Sequence, residues 1–295
     1  MSSLWHVLLG VHWLVPLSMY IVIAYVGVRW AGKHLANQPD HVKRLTVNMG
    51  LCAFAAILLA FVTGDLRFNN STYVVMGVGV LNAFANIAQW RATRISMSKT
   101  SMLSFGDDII AILLAWSIVG DGRYLNAMSG VGMVLCLLTG ILFWWHDNRT
   151  KASHETSSFY LLVFTYCVFW GVADFSVRYF AFNQLPVAQF LFSWYLGTFL
   201  TMTVVFAVRG VLRVMVGNGE KSVPFTRKDH LFLVAFSMGI VICLALQFWT
   251  KSLAPQTVVG PILLVSEAII PTIIGWVIFH ERKEFDRMQW AFSVL

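Results

Sequence analysis

Long apolar stretches joined by short polar connections dominate the chain. Crossing the hydrocarbon of a bilayer takes about 20 mostly apolar residues. Nine stretches meet that length: 5–28, 45–63, 73–90, 101–119, 124–145, 157–179, 186–208, 230–250 and 258–279. A tenth begins near Met288 and stops at Leu295 after eight residues, so it reads as an incomplete last span. None of them alternates with the two-residue period of a strand. Only helices and closed barrels satisfy every backbone polar group in lipid, so the spans read as helices. The connections are mostly short, which makes consecutive helices antiparallel neighbours. The longest, 29–44 and 209–229, are too small for a soluble domain. The first stretch lacks the basic leader of a signal peptide and is too long for one, so it reads as the first span.

Composition narrows the class further. Of 295 residues, 58% are hydrophobic and 12% charged, against about 25% charged in soluble domains. A soluble enzyme, a disordered chain, a collagen-like fibre and a disulfide-stapled module are all excluded. An all-α, multi-pass integral membrane protein is expected, with a bacterial inner membrane as its setting. Cys52, Cys136, Cys167 and Cys243 sit in apolar runs with no zinc or redox spacing and read as packing residues. The net charge of +7 does not indicate nucleic acid, because the basic residues are scattered between spans. Loops after odd-numbered spans carry 17 Lys and Arg, and those after even-numbered spans carry 4. The positive-inside rule then places the odd loops in the cytoplasm and the N-terminus outside.

A shift of 160 residues lines up 96–135 with 256–295. It matches Trp116 with Trp276 and faces Asp107 with Glu267, Asp121 with Glu281, and Arg123 with Lys283. An offset of five spans reverses direction in the membrane. The pattern is therefore an inverted repeat, with halves 1–150 and 151–295. Secondary transporters built this way hold their substrate near the midplane, between the halves.

Two five-span halves, each closed by a turn such as WVIFHERKEFDRMQW (276–290), WSIVGDGRYLNAMSG (116–130) being the weaker copy, resemble the EamA-type permeases of the drug/metabolite transporter superfamily. VFWGVADFSVR (168–178) carries the same likeness. The family turn has a small residue before its acid; Gly120 fits and His280 departs. Asp108 and Ala268 stand where the family tends to place proline. The resemblance implies a ten-helix carrier of small molecules.

Hydrophilic side chains at membrane depth are costly and call for a reason. Glu267 lies mid-span with no charged neighbour within a helical turn, so it reads as a proton or cation coupling site or as half of an ion pair between helices. Its counterpart Asp107, beside Asp108, either joins that site or faces water at a span end; Ser101, Ser104 and Asp108 share one helical face. Ser-Phe-Gly-Asp at 104–107 lacks the first glycine of an intramembrane aspartyl protease motif, and no enzyme is expected. Asn82, Asn86 and Gln89 put three amides on one face of span three, which must look inward, either lining a wet cavity or gluing helices. Trp90 reads as a ligand-stacking ring or, by its position, an interfacial anchor. Gln247 and Lys251 on span eight, with Arg91 on span three, form a second candidate set, in which the two cations either flank the site or snorkel to headgroups. Asp174 and Arg178 are four apart on span six and are expected to pair with each other. Pro261 and Pro271 bracket Glu267 as a candidate hinge, and Pro16 bends span one. No metal-ligand spacing occurs among the eight histidines, and no GxxxxGK[ST] occurs, so neither metal, cofactor nor ATP is expected.

The sequence thus predicts a secondary transporter of a small polar metabolite, such as an amino acid, sugar or organic anion. Alternating access would be driven by protons or by exchange, with a cavity lined by spans three, four, six, eight and nine. Its expected partners are that substrate, the bilayer and, in an oligomer, a second copy in a homodimer. The alternative is a non-transporting subunit or scaffold, such as part of a lipid-head-group flippase.

Overall fold

A computed structural model describes residues 11–38, 40–125, 127–150, 154–215 and 225–281. Among these, nine long helices follow one another without a strand: α1 (Leu14–Ala36), α2 (His41–Thr63), α3 (Asn70–Ile95), α4 (Met97–Val119), α5 (Ala127–Thr150), α6 (His154–Phe182), α7 (Val187–Met215), α8 (Arg227–Leu253) and α9 (Gln256–Val277), with one short 3-10 turn, Asp121–Tyr124, between α4 and α5. All but α5 are long and apolar enough to cross a membrane; within α5 the apolar part is shorter, Gly130–His146. The chain is an all-α, multi-pass integral membrane protein. The expected tenth span lies outside the described residues.

Local chemistry sets the helix ends. Asn69 and Thr72 form a capping box that starts α3, and Thr226 and Asp229 form another that starts α8. Ser96 ends α3 and caps α4 by accepting from Lys99 N. Gly64 stops α2 in the left-handed region, at φ 73°. Two π-helical segments were not foreseen: Val22–Val28 within α1 and Ala115–Val119 at the end of α4. Such segments are frequent at functional sites. The first leads directly into Arg29.

The helices run past the predicted limits where charge masks the continuation. The expected loop 29–44 is helical to Ala36, because Arg29 and Lys33 turn inward to partners instead of out to water. Span nine shows no break: α9 is continuous through Pro261 and Pro271.

Packing follows the membrane pattern, polar inside and apolar outside. Phe61, Val62, Phe164 and Leu231 project from the bundle, while Lys33, Asp107, Asp174, Lys251 and Glu267 are buried in it. Since lipid is as apolar as leucine, close backbone approach and polar contacts hold such a bundle together. The α3–α7 crossing illustrates this. A Cβ on Gly79 would strike the Trp194 carbonyl, and one on Gly197 would strike the Met76 backbone. At the same crossing Asn82 Nδ2 donates to Thr198 Oγ1 (2.9 Å), which in turn reaches Gly79 O (3.0 Å). Around it, α7 packs on α2 and α3, α6 on α3 and α4, α8 on α1, α2 and α6, and α9 on α4.

Candidate functional site

A chamber of about 130 Å³ lies between α1, α2, α3, α6, α7, α8 and α9. Four amides border it: Asn82, Asn86 and Gln89 from α3, and Gln247 from α8. The three α3 amides stand at helical spacing, so one face delivers all of them. Asn86 Nδ2 donates back to Asn82 (2.8 Å) and fixes that pair. Seven aromatic rings join them in the wall: Tyr20, Tyr25, Trp90, Trp170, Trp194, Tyr195 and Phe236. Trp170 and Trp194 meet edge to face at 6.1 Å.

Two charged groups meet at one side of the chamber. Glu267 of α9 pairs with Arg29 of α1, and Tyr166 of α6 donates to the same Glu267 Oε1 (3.2 Å) and accepts from Arg29 Nη2 (3.3 Å). The Gln89 amide, with its oxygen toward the guanidinium, accepts from Arg29 as well. Glu267 is therefore half of an ion pair between helices. Sequence reasoning identified the acid and missed the base, because Arg29 sits at the end of an apolar run, where charges usually face headgroups.

Beneath Glu267 lie Asp107 and Asp108, both buried, which removes the reading in which they face water at a span end. Ser101 and Ser104 on the same helix are buried as well. Asp107 Oδ1 accepts from the Asp108 amide (2.8 Å).

Span six differs from expectation. Asp174 and Arg178 do not pair with each other. Asp174 pairs with Lys251 and accepts from Gln247 Nε2 (2.5 Å) and Gln256 Nε2 (3.0 Å). Arg178 forks onto both oxygens of Asp121 (2.9 Å each) and donates to Lys251 O (2.5 Å). The two side chains are satisfied across helices by groups with better geometry than an i, i+4 pair offers. Lys251 is fully buried on Asp174, and Arg91 is exposed, so the two do not flank a common site. Trp90 is a buried chamber wall, not an interfacial anchor. Of the spans expected to line the cavity, α4 does not contribute, while α1, α2 and α7, which were not expected to, do.

Two charge clamps close the ends of the bundle, and they are built alike. At one end, Lys33 near the C-terminus of α1 pairs with Glu281 (2.9 Å) and donates to Thr93 O (2.7 Å) near the end of α3. Glu281 in turn accepts from the first amides of α4, Met97 N (3.0 Å) and Ser98 N (2.7 Å). At the other end, Arg178 near the C-terminus of α6 pairs with Asp121 and donates to Lys251 O near the end of α8. Asp121 accepts from the first amide of α9, Gln256 N (2.9 Å). Each acid therefore sits on a helix N-terminus, where the backbone dipole favours negative charge. Each also follows a residue in the left-handed region, Gly120 (φ 80°) and His280 (φ 57°). Burial raises the Glu281 carboxyl, but Lys33 and the Ser98 and Met97 amides outweigh that and hold it below its usual range.

No family model matches the chain, and no curated protein matches it. Eighteen chains of solved structures do. One, a crystal structure described only as that of a protein, superposes over 96% of this chain and 93% of its own, with a TM-score of 0.57 and 14% identity. That degree of identity supports a shared fold and nothing about activity.

Proposed function

We propose that this protein is a secondary transporter that carries a small polar metabolite by alternating access, built from two inverted five-helix halves (1–150 and 151–295) on the EamA-type plan. The observation that carries the reading is the cavity bordered by four amides, together with two like-built clamps at opposite ends of the bundle. Exchanging the halves turns Lys33, Thr93, Met97 and Glu281 into Arg178, Lys251, Gln256 and Asp121. Helix packing follows the same exchange: α3 on α6 answers α8 on α1, and α4 on α6 answers α9 on α1. A static scaffold has no need of the same closure at both ends. A carrier does, since it must open each end in turn.

The lining narrows the cargo. Both chamber cations are already paired, Arg29 with Glu267 and Lys33 with Glu281. What remains for a ligand is amides and ring faces, which suit a neutral or zwitterionic solute, an amino acid or sugar, better than an organic anion. The sequence carries no nucleotide-hydrolysing motif, so a gradient or exchange drives the cycle.

Flux into liposomes tests this. Purified protein should catalyse saturable uptake or counterflow of a member of an amino-acid and sugar panel, and Asn86→Leu should abolish it with membrane insertion intact. Absence of flux across the panel, or flux indifferent to Asn86→Leu, would overturn the assignment.

A further inference from the structure

Three buried carboxylates remain that neither the clamps nor the chamber amides use up. Asp107 and Asp108 project from α4, Glu267 from α9, and one oxygen of each lies within 4.8 Å of one from each of the others. They are 1%, 6% and 5% exposed. In both aspartates Oδ2 has no hydrogen-bond partner among the described residues. Arg29 compensates one charge, and it and Tyr166 both take Glu267 Oε1, so neither contact requires Oε2. Two carboxyl groups are left without a compensating cation in a setting where an unpaired carboxylate is costly.

We propose that Asp107, Asp108 and Glu267 bind a hard cation of the size of Na⁺ or Ca²⁺. The donors are all carboxylate oxygens, the set that hard cations select. Separations within 4.8 Å let one ion reach all three groups with bonds of about 2.3–2.6 Å, the range of Ca²⁺, whose coordination is flexible. Mg²⁺ demands near-ideal octahedral geometry at about 2.0–2.1 Å and keeps several waters, which three fixed carboxylates serve less well. Glu267 also borders the chamber, which gives the ion a route in. Once bound, the ion ties α4 to α9. Ion binding is an equilibrium property that stands whether or not the protein carries a metabolite, so its test does not depend on the transport assignment.

The full chain in detergent at pH 8, at ionic strength held with choline chloride, is melted against NaCl, CaCl₂ and MgCl₂. Na⁺ or Ca²⁺ should raise Tm by roughly 2–4 °C or more per tenfold rise above its Kd, with a smaller response to Mg²⁺. Asp107→Asn and Asp108→Asn should each lose the shift, and Asp65→Asn, outside the cluster, should keep it. Equilibrium dialysis of the unmodified chain with labelled Ca²⁺ and Na⁺ should find one ion per chain, a readout that does not depend on any variant folding. No shift and no bound ion in the unmodified chain, or a shift undiminished in both cluster variants, overturns the proposal.

Discussion

Removing the acid from one clamp should open that end of the bundle and leave the other closed. Asp121→Ala strips Arg178 of both forked bonds and Gln256 N of its acceptor, in a site where Asp121 is only 3% exposed. Breaking a buried ion pair from one side costs about 3–5 kcal/mol. Arg178 keeps its bond to Lys251 O, so the lower figure applies, about 3 kcal/mol. That cost falls on conformations closed at this end, because an open end lets water reach the guanidinium. At about 1.4 kcal/mol per tenfold, the equilibrium moves roughly 100-fold toward opening, enough to bring a 1% population to about half. Glu281→Ala should do the same at the opposite end, freeing Lys33 and the α4 amides. Spin-label distances read this directly, with one pair at Arg123 and Asn183 and another at Asn37 and Ile278, all exposed positions. Asp121→Ala should lengthen and broaden the first pair only, and Glu281→Ala the second only. If either substitution moves both pairs, or neither moves any, the clamps are not separate gates and the reasoning fails.

Other consequences are testable alone. Gly197→Leu forces a side chain into the Met76 backbone and should lower thermal stability in detergent by at least the 1–3 kcal/mol usual for overpacking. His280→Gly should raise it by about 1–2 kcal/mol, since His280 is exposed and sits at φ 57°, a region that only glycine enters without strain. Because the Glu281 carboxyl is held below its ordinary range, its clamp contributes stability that is complete above the unfolded pKa of about 4.3. That contribution is lost as pH falls through the lower folded value. Melting followed from pH 7 to pH 3 should therefore show an acid-dependent loss that Glu281→Gln flattens.

Span positions were legible because lipid leaves few choices: an apolar run of sufficient length must satisfy its backbone internally, and a helix does so. The α3 amides were legible for the same reason, since Asn82, Asn86 and Gln89 share a face that cannot meet lipid. Pairing was another matter. Asp174 has its nearest opposite charge four residues along at Arg178, yet it takes Lys251, while Arg178 takes Asp121 from another helix. Helical spacing shows which groups share a face; packing of distant segments decides which of them meet. Arg29 and Lys33 were hidden by their place at the end of a span, where a charge facing headgroups and a charge facing inward leave the same trace in the sequence. The alignment at 160 residues sets Asp121 against Glu281, and each of these acids accepts from amides at a helix start. Nothing in the residues signalled the π segment in α1, which packs against α8 and α9.

A carrier working by alternating access must have one chamber that is reached in turn from both membrane faces. Cys243 borders that chamber, so with Cys52, Cys136 and Cys167 replaced by alanine it reports on access. In sealed vesicles of each orientation, a membrane-impermeant thiol reagent should modify Cys243 from either face, and a transported solute should slow both reactions. Modification from one face alone, or from neither, would contradict the account.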